Sequence, residues 1–133
     1  QKILTDAGYT AAPGSNQNAI DAATPGGYRF VAQLGDCPEG GAPHCDSLTM
    51  TSYDFNESTH VTLKGVNEWN RKSWGARGMI YQNGASGVVM NVSLTGGVTA
   101  AWVKQQVANF DYWMTQYGRF VGGVKDEPAP TTP

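Results

Sequence analysis

Hydrophobic positions recur along this chain in two rhythms. From Leu48 to Asp54 apolar residues alternate with hydroxyl-bearing ones, the spacing of a half-buried antiparallel strand. Tyr28 to Leu34 has strand composition with partial alternation. Further on, Gly78-Met-Ile-Tyr-Gln-Asn-Gly84, a turn at Ala85-Ser86-Gly87 and Val88-Val-Met-Asn-Val-Ser93 read as a hairpin. The rhythm then changes to steps of three and four: Val98, Trp102, Val103, Gln106, Val107, Phe110, Trp113, Met114 and Tyr117. Lys104, Gln105, Asn109, Asp111 and Gln116 take the other side, so the pattern predicts an amphipathic helix of about twenty residues. Thr95 or Thr99 is placed to cap it after Gly96-Gly97, and Gly118 stands where a left-handed C-cap belongs. Arg119 to Val124 then reads as a short return strand.

Elsewhere the pattern is fainter. Residues 1–14 read as an arm with a short strand at Lys2–Thr5, and Ser15 is placed to cap a short helix from Asn16 to Ala23. Thr24-Pro25-Gly26-Gly27 breaks that helix. Val61-Thr-Leu63 continues the strand composition, and Gly65 to Gly75 suits either a short helix, with Val66, Trp69 and Lys72 on one face, or an irregular aromatic loop. Residues 125–133, rich in Pro and Thr, predict a disordered tail. The expectation is one α+β domain over residues 1–124. It is an α/β sandwich in which an antiparallel sheet of about five strands carries two or three helices packed on one face. The aromatic face of the long helix belongs to the core, because its polar side lacks the Lys/Arg excess of an interfacial helix.

Composition changes the picture mainly through compartment. The chain has 133 residues, enough for one domain with a real core, and only 15% of them are charged. A net charge of −2 supplies no general pull towards nucleic acid or anionic membrane. No run is long enough to span a bilayer. Cys37 and Cys45 flank a spacer rich in Pro and Gly, which predicts a local disulfide rather than a zinc site, since only His44 lies near as a further ligand. Asn56-Glu-Ser58 and Asn91-Val-Ser93 are glycosylation sequons. With Gln1 rather than Met in first place, these features lead to the expectation of a processed, secreted, extracellular and soluble glycoprotein.

Candidate chemistry is sparse. A nucleophilic triad needs a base, and the histidines are His44 inside the cystine loop and His60 beside the first sequon. Gly84-Ala-Ser-Gly87 is one residue short of a nucleophile elbow. Asp36, Glu39, Asp46, Asp54, Glu57 and Glu68 are glycosidase carboxylates by type alone, with no aromatic sugar platform beside them. His60 with Glu57 or Glu68 and Arg71 could be assembled as an RNase-like site. Asp36, Glu39 and Asp46 could hold calcium, but their spacing fits no EF-hand and a solvated acidic loop explains them. No catalytic residue, metal or cofactor is therefore assigned. Charge is uneven: five acids fall between Phe30 and Leu63, and Lys64, Arg71, Lys72 and Arg77 follow against Glu68. The best surface candidate is the basic cluster Arg71, Lys72 and Arg77 beside Trp74.

Arg77-Gly-Met-Ile-Tyr-Gln-Asn-Gly84, the long helix and Gln116-Tyr-Gly-Arg-Phe-Val-Gly-Gly-Val124, in that order, resemble the small secreted fungal proteins of the killer-toxin type, the KP4-like group. Those toxins are stapled by several disulfides, and here Gly75, Arg77, Arg119 and Val121 stand where cysteines would be expected. The resemblance implies an α/β sandwich secreted by a fungus and acting as an antifungal toxin or a host-directed effector. The expected function is thus non-catalytic binding, as a monomer, to a membrane protein or cell-wall glycan on another cell, with no membrane insertion. The alternatives are a small secreted hydrolase acting on RNA or cell-wall glycan, and a carbohydrate-binding module using Trp69, Trp74 or Tyr81.

Overall fold

The computed structural model describes residues 1–38, 44–55 and 61–122. Within them the elements run α1 (Lys2–Asp6), β1 (Thr10–Pro13), β2 (Ala19–Ala23), β3 (Arg29–Gly35), β4 (Ser47–Phe55), α2 (Leu63–Lys72), β5 (Arg77–Ile80), β6 (Ser86–Ser93) and α3 (Ala100–Val121). The strands form one six-stranded sheet in the order β1-β2-β3-β4-β6-β5. Every pairing in it is antiparallel. This is the expected α+β architecture with one strand more than foreseen. β1 to β4 form a meander, and the β5–β6 hairpin joins it through β6, leaving β5 at the edge.

Alternation along the strands decides which face is buried. Phe30 and Ala32 of β3, Leu48 and Met50 of β4, and Val88 and Met90 of β6 all face the helices and are buried. Registers Ala32↔Met50 and Met50↔Met90 set three of them in one row. Against this face α3 lays Val107, Phe110, Met114 and Tyr117, all buried, while α1 adds Leu4 and α2 adds Val66 and Trp69. Aromatic rings join the layers. Trp69 of α2 meets Tyr117 of α3 edge-on at 4.9 Å, and Phe55 of β4 meets the same ring at 4.9 Å. Each such pair contributes about 0.5–1.5 kcal/mol beyond its buried area. Close approach is possible because residue 78 is glycine: a Cβ there would lie 2.7 Å from Tyr117 Cε2.

The opposite face carries no helix among the described residues. Val31, Thr51 and Val89 share one row across it and are half-buried. Tyr53 is 49% exposed and Met79 37% exposed on the same side.

Several local expectations are corrected. Lys2 to Asp6 is helical, burying Leu4 alone, so the N-terminal strand starts later, at Thr10. Residues 19–23 form β2, not a helix: hydrogen bonding from β1 on one side and β3 on the other outweighs the helical preference of its alanines. Ahead of it Asn16 makes a turn, its Oδ1 accepting from Asn18 N–H at 2.9 Å. Thr62 is no strand residue but the N-cap of α2, its hydroxyl accepting from Gly65 N–H at 3.0 Å. The hairpin turn spans Tyr81 to Ala85, closed by Tyr81 N–H donating to Ala85 O at 2.8 Å. Of the two cap candidates for α3, Thr99 serves, accepting from Trp102 N–H at 3.1 Å. At its other end α3 runs through Gly118 to Val121, which removes the expected return strand over Arg119–Val121. Gly118 is a packing position rather than a cap, since a Cβ there would lie 2.5 Å from the Tyr28 hydroxyl. The tail at 125–133 lies outside the described residues.

Candidate functional site

Where β3 ends, β4 begins and β6 stops, the inner face of the sheet is left partly uncovered. The segment from β6 into α3 passes through Gly96 and Gly97 at φ +85 and +84, a left-handed path that glycine takes without strain. Gly97 N–H donates to Leu94 O at 3.1 Å within it. Helix α3 therefore starts beyond the sheet end, and a cavity of about 760 Å³ lies between its first turns, α1 and the strands. Its walls are aliphatic. Ile3 and Leu4 come from α1, Ile20, Leu34 and Leu48 from the sheet, Leu94 and Val98 from the connecting segment, and Val103 and Val107 from α3. Leu34 is 37% exposed and Val98 40%, both on the cavity wall, so the site opens to solvent through apolar groups.

The rim is polar and is held by the cystine. Cys37 and Cys45 are bonded as expected, with Cα atoms 4.1 Å apart. Cys45 and its neighbours His44 and Asp46 line the cavity mouth with Gln1. Asp46 is anchored twice through its backbone, N–H donating to Asp36 O at 3.4 Å and C=O accepting from Leu94 N–H at 2.8 Å. Asp36 takes φ 51, a left-handed conformation that Asp tolerates better than most residues. Such a site suits a ligand with an apolar body and a polar end, the body displacing water from the aliphatic wall and the end meeting the His44 imidazole or the Asp46 carboxylate. Cys45 is committed to the disulfide and so offers no thiolate. Among the described residues no group of three His, Cys, Asp or Glu could hold a metal. Glu39, the third calcium candidate, lies outside them.

The predicted basic cluster is brought together only in part. Arg71 and Lys72 are exposed in the last turn of α2, and Trp74 follows at 88% exposure with its ring edge-on to Trp113 at 5.9 Å. Trp74 and Arg77 line a polar cleft of about 650 Å³ with Asn91 of β6, whereas Arg71 turns to a shallow depression with Lys64 and Glu68. Trp69 is buried, and Tyr81 is half-buried against Tyr53, with ring centroids 5.6 Å apart. Asn91 is exposed on β6 and its Oδ1 accepts from Thr49 Oγ1 at 2.7 Å. The sequon asparagine Asn56 and the residues Glu57 and His60 lie outside the described residues.

Three phenols are perturbed by burial. Tyr9 donates to Asp111 Oδ2 at 3.1 Å, and burial, then the Asp111 charge and this bond, push its pKa up to about 12. Burial also raises Tyr81, with Tyr53 and Tyr117 adding to the rise. In Tyr117 burial dominates; the nearby Ser86 hydroxyl tempers the rise without reaching full hydrogen-bond geometry. The cavity walls escaped sequence reasoning because they come from six separate segments. The available signal was a surplus of large aliphatic residues at turn and strand-end positions, Leu34, Leu94 and Val98, where polar residues are the norm.

A family model, YbjN, described as "Putative bacterial sensory transduction regulator", matches residues 1–121. No curated protein matches the chain. The match is to a bacterial, regulatory family and covers all the elements described above. It overturns the resemblance of residues 77–124 to fungal killer toxins, and with it the fungal source, the secreted toxin or effector role and the antimicrobial and virulence readings. The hydrolase and carbohydrate-binding alternatives find no support in it either. The killer-toxin likeness rested on the order hairpin, helix and return strand, and α3 occupies Arg119–Val121, where that strand was expected to begin.

Proposed function

The chain belongs to the YbjN family, and on that premise we propose that it is a regulatory protein whose input is an apolar small molecule bound in the cavity at the start of α3. The observation that carries the reading is that cavity: about 760 Å³, aliphatic on its walls and polar at its rim. Its size falls within the range of about 300–1,000 Å³ that accommodates small-molecule ligands. A closed core would have buried Leu34 and Val98; here both stay accessible. Their apolar surface is removed from water only when a ligand arrives, a gain of about 25 cal/mol per Å². The cavity touches α1, α3 and the sheet together, so occupancy changes how firmly α3 is seated, which suits a protein that reports binding to others. The cystine supports a location where thiols are oxidised.

A fluorescent medium-chain fatty acid titrated into the purified protein tests this. Saturable binding of one probe per chain is expected, and Val103→Trp, which fills the cavity from α3, is expected to weaken it tenfold or more. No saturable binding by a folded wild type, or equal binding by the folded variant, would overturn the reading.

A further inference from the structure

The open face of the sheet has a charge and shape pattern that is its own complement. One row crosses five strands in register: Asp21 on β2, Val31 on β3, Thr51 on β4, Val89 on β6 and Arg77 on β5. Thr51 is its midpoint. An acid stands two strands to one side and a base two strands to the other, and a valine lies between each of them and the threonine. Asp21 and Arg77 are both exposed. With strands about 4.8 Å apart, the two charges are about 19 Å from each other, too far to pair within one chain. The neighbouring rows repeat the symmetry. Gln33 and Asn91 flank Thr49, an amide on either side. In the next row Ala23 pairs with exposed Arg29 on one side and Met79 with Gly87 on the other, small beside large at each end.

We propose that this face is a self-association surface, on which a second copy of the chain docks face to face about a two-fold axis running along β4 at Thr51. That operation leaves β4 over β4 and exchanges β2 with β5 and β3 with β6. Arg77 of one copy then falls on Asp21 of the other, Val89 on Val31, Asn91 on Gln33, Met79 on Ala23 and Thr51 on itself. Each contact occurs twice, as an isologous interface requires. No other occupant is prescribed so fully by the pattern, because any other partner would need an independent match to the alternation of charge and size. The five strands that overlap, of about six residues each, give a footprint of roughly 500 Å² per copy, or ~1,000 Å² in all, at the lower bound of a specific interface. The dimer is therefore a reversible one, with the two sheets about 10 Å apart. Its surface is on the opposite side of the sheet from the ligand cavity, and the inference stands independently of what that cavity binds.

Charge reversal tests both the surface and the axis. By sedimentation equilibrium the full chain is expected to dimerise with a Kd on the order of micromolar, as suits a small interface. Asp21→Arg and Arg77→Asp are each expected to raise Kd tenfold or more, and the double variant to return it to within threefold of wild type. Both positions are exposed, and circular dichroism checks that the variants fold. A bismaleimide of ~10 Å reach is expected to cross-link Thr51→Cys to its own copy far faster than Asn67→Cys on α2, because only the former lies between sheets at that spacing. A strictly monomeric wild type, single reversals without effect, a double variant no better than the singles, or equal cross-linking at Thr51 and Asn67 would each overturn the proposal.

Discussion

Tyr9 ties the N-terminal part of the chain to its last helix through one hydrogen bond, and that bond has a pH signature. The phenol donates to Asp111, and its pKa is pushed up to about 12 from an ordinary 10.0, burial being the first cause. A raised folded-state value means the unfolded chain loses its phenolic proton first. The contribution is therefore fully present below pH 10 and is lost as pH rises from about 10 towards 12. Thermal melts of wild type are expected to fall across that window, and Tyr9→Phe, already lower at pH 8 for want of the bond, is expected to fall less steeply. Parallel curves for the two proteins would refute the assignment. Tyr81 and Tyr117 are shifted the same way and steepen the decline in both.

At the scale of elements, the joint between α3 and the sheet is set by absence of bulk. Tyr117 is fully buried and boxed in by Trp69, Phe55 and Phe120, so it cannot yield when Gly78 beneath it gains a side chain. Gly78→Ala is expected to cost about 1–3 kcal/mol in chemical denaturation, the usual penalty of overpacking. A neutral result would mean that the β5 edge moves freely beneath the helix. The sequence displays such elements unequally. β4 and α3 are plain in it, because Leu48–Tyr53 and Val107–Tyr117 each bury one face and so keep a clean period. β2 is hidden: Ala19-Ile-Asp-Ala-Ala23 has helix-forming alanines, and only its two neighbours in the sheet make it a strand. Gly118 misleads in the opposite sense, reading as a helix end when it is the seat of the Tyr28 ring. The cavity leaves only a trace, aliphatic residues at Leu34, Leu94 and Val98, because Ile3, Ile20, Leu34 and Val98 meet only once the chain has folded.

The whole molecule is divided between the two sides of one sheet: helices, core and cavity on one, an open row of residues on the other. The cystine belongs to the cavity side, with Cys45 on the cavity wall. Replacing Cys37 and Cys45 with serine is expected to lower stability by roughly 2–3 kcal/mol, the value for closing a short loop. The same variant is expected to weaken the fatty-acid probe severalfold, because His44 and Asp46 lose their fixed places at the mouth. A lower melting temperature with unchanged probe affinity would show that the rim takes no part in binding. Strand order holds a consequence of another kind. The meander β1 to β4 and the hairpin β5–β6 are assembled from neighbours in the chain, but β4 meets β6 across a separation such as Thr49 to Asn91, 42 residues. Loop closure of that length is costly before any contact rewards it. The seam between β4 and β6 is therefore where the folding of this protein is expected to be slowest.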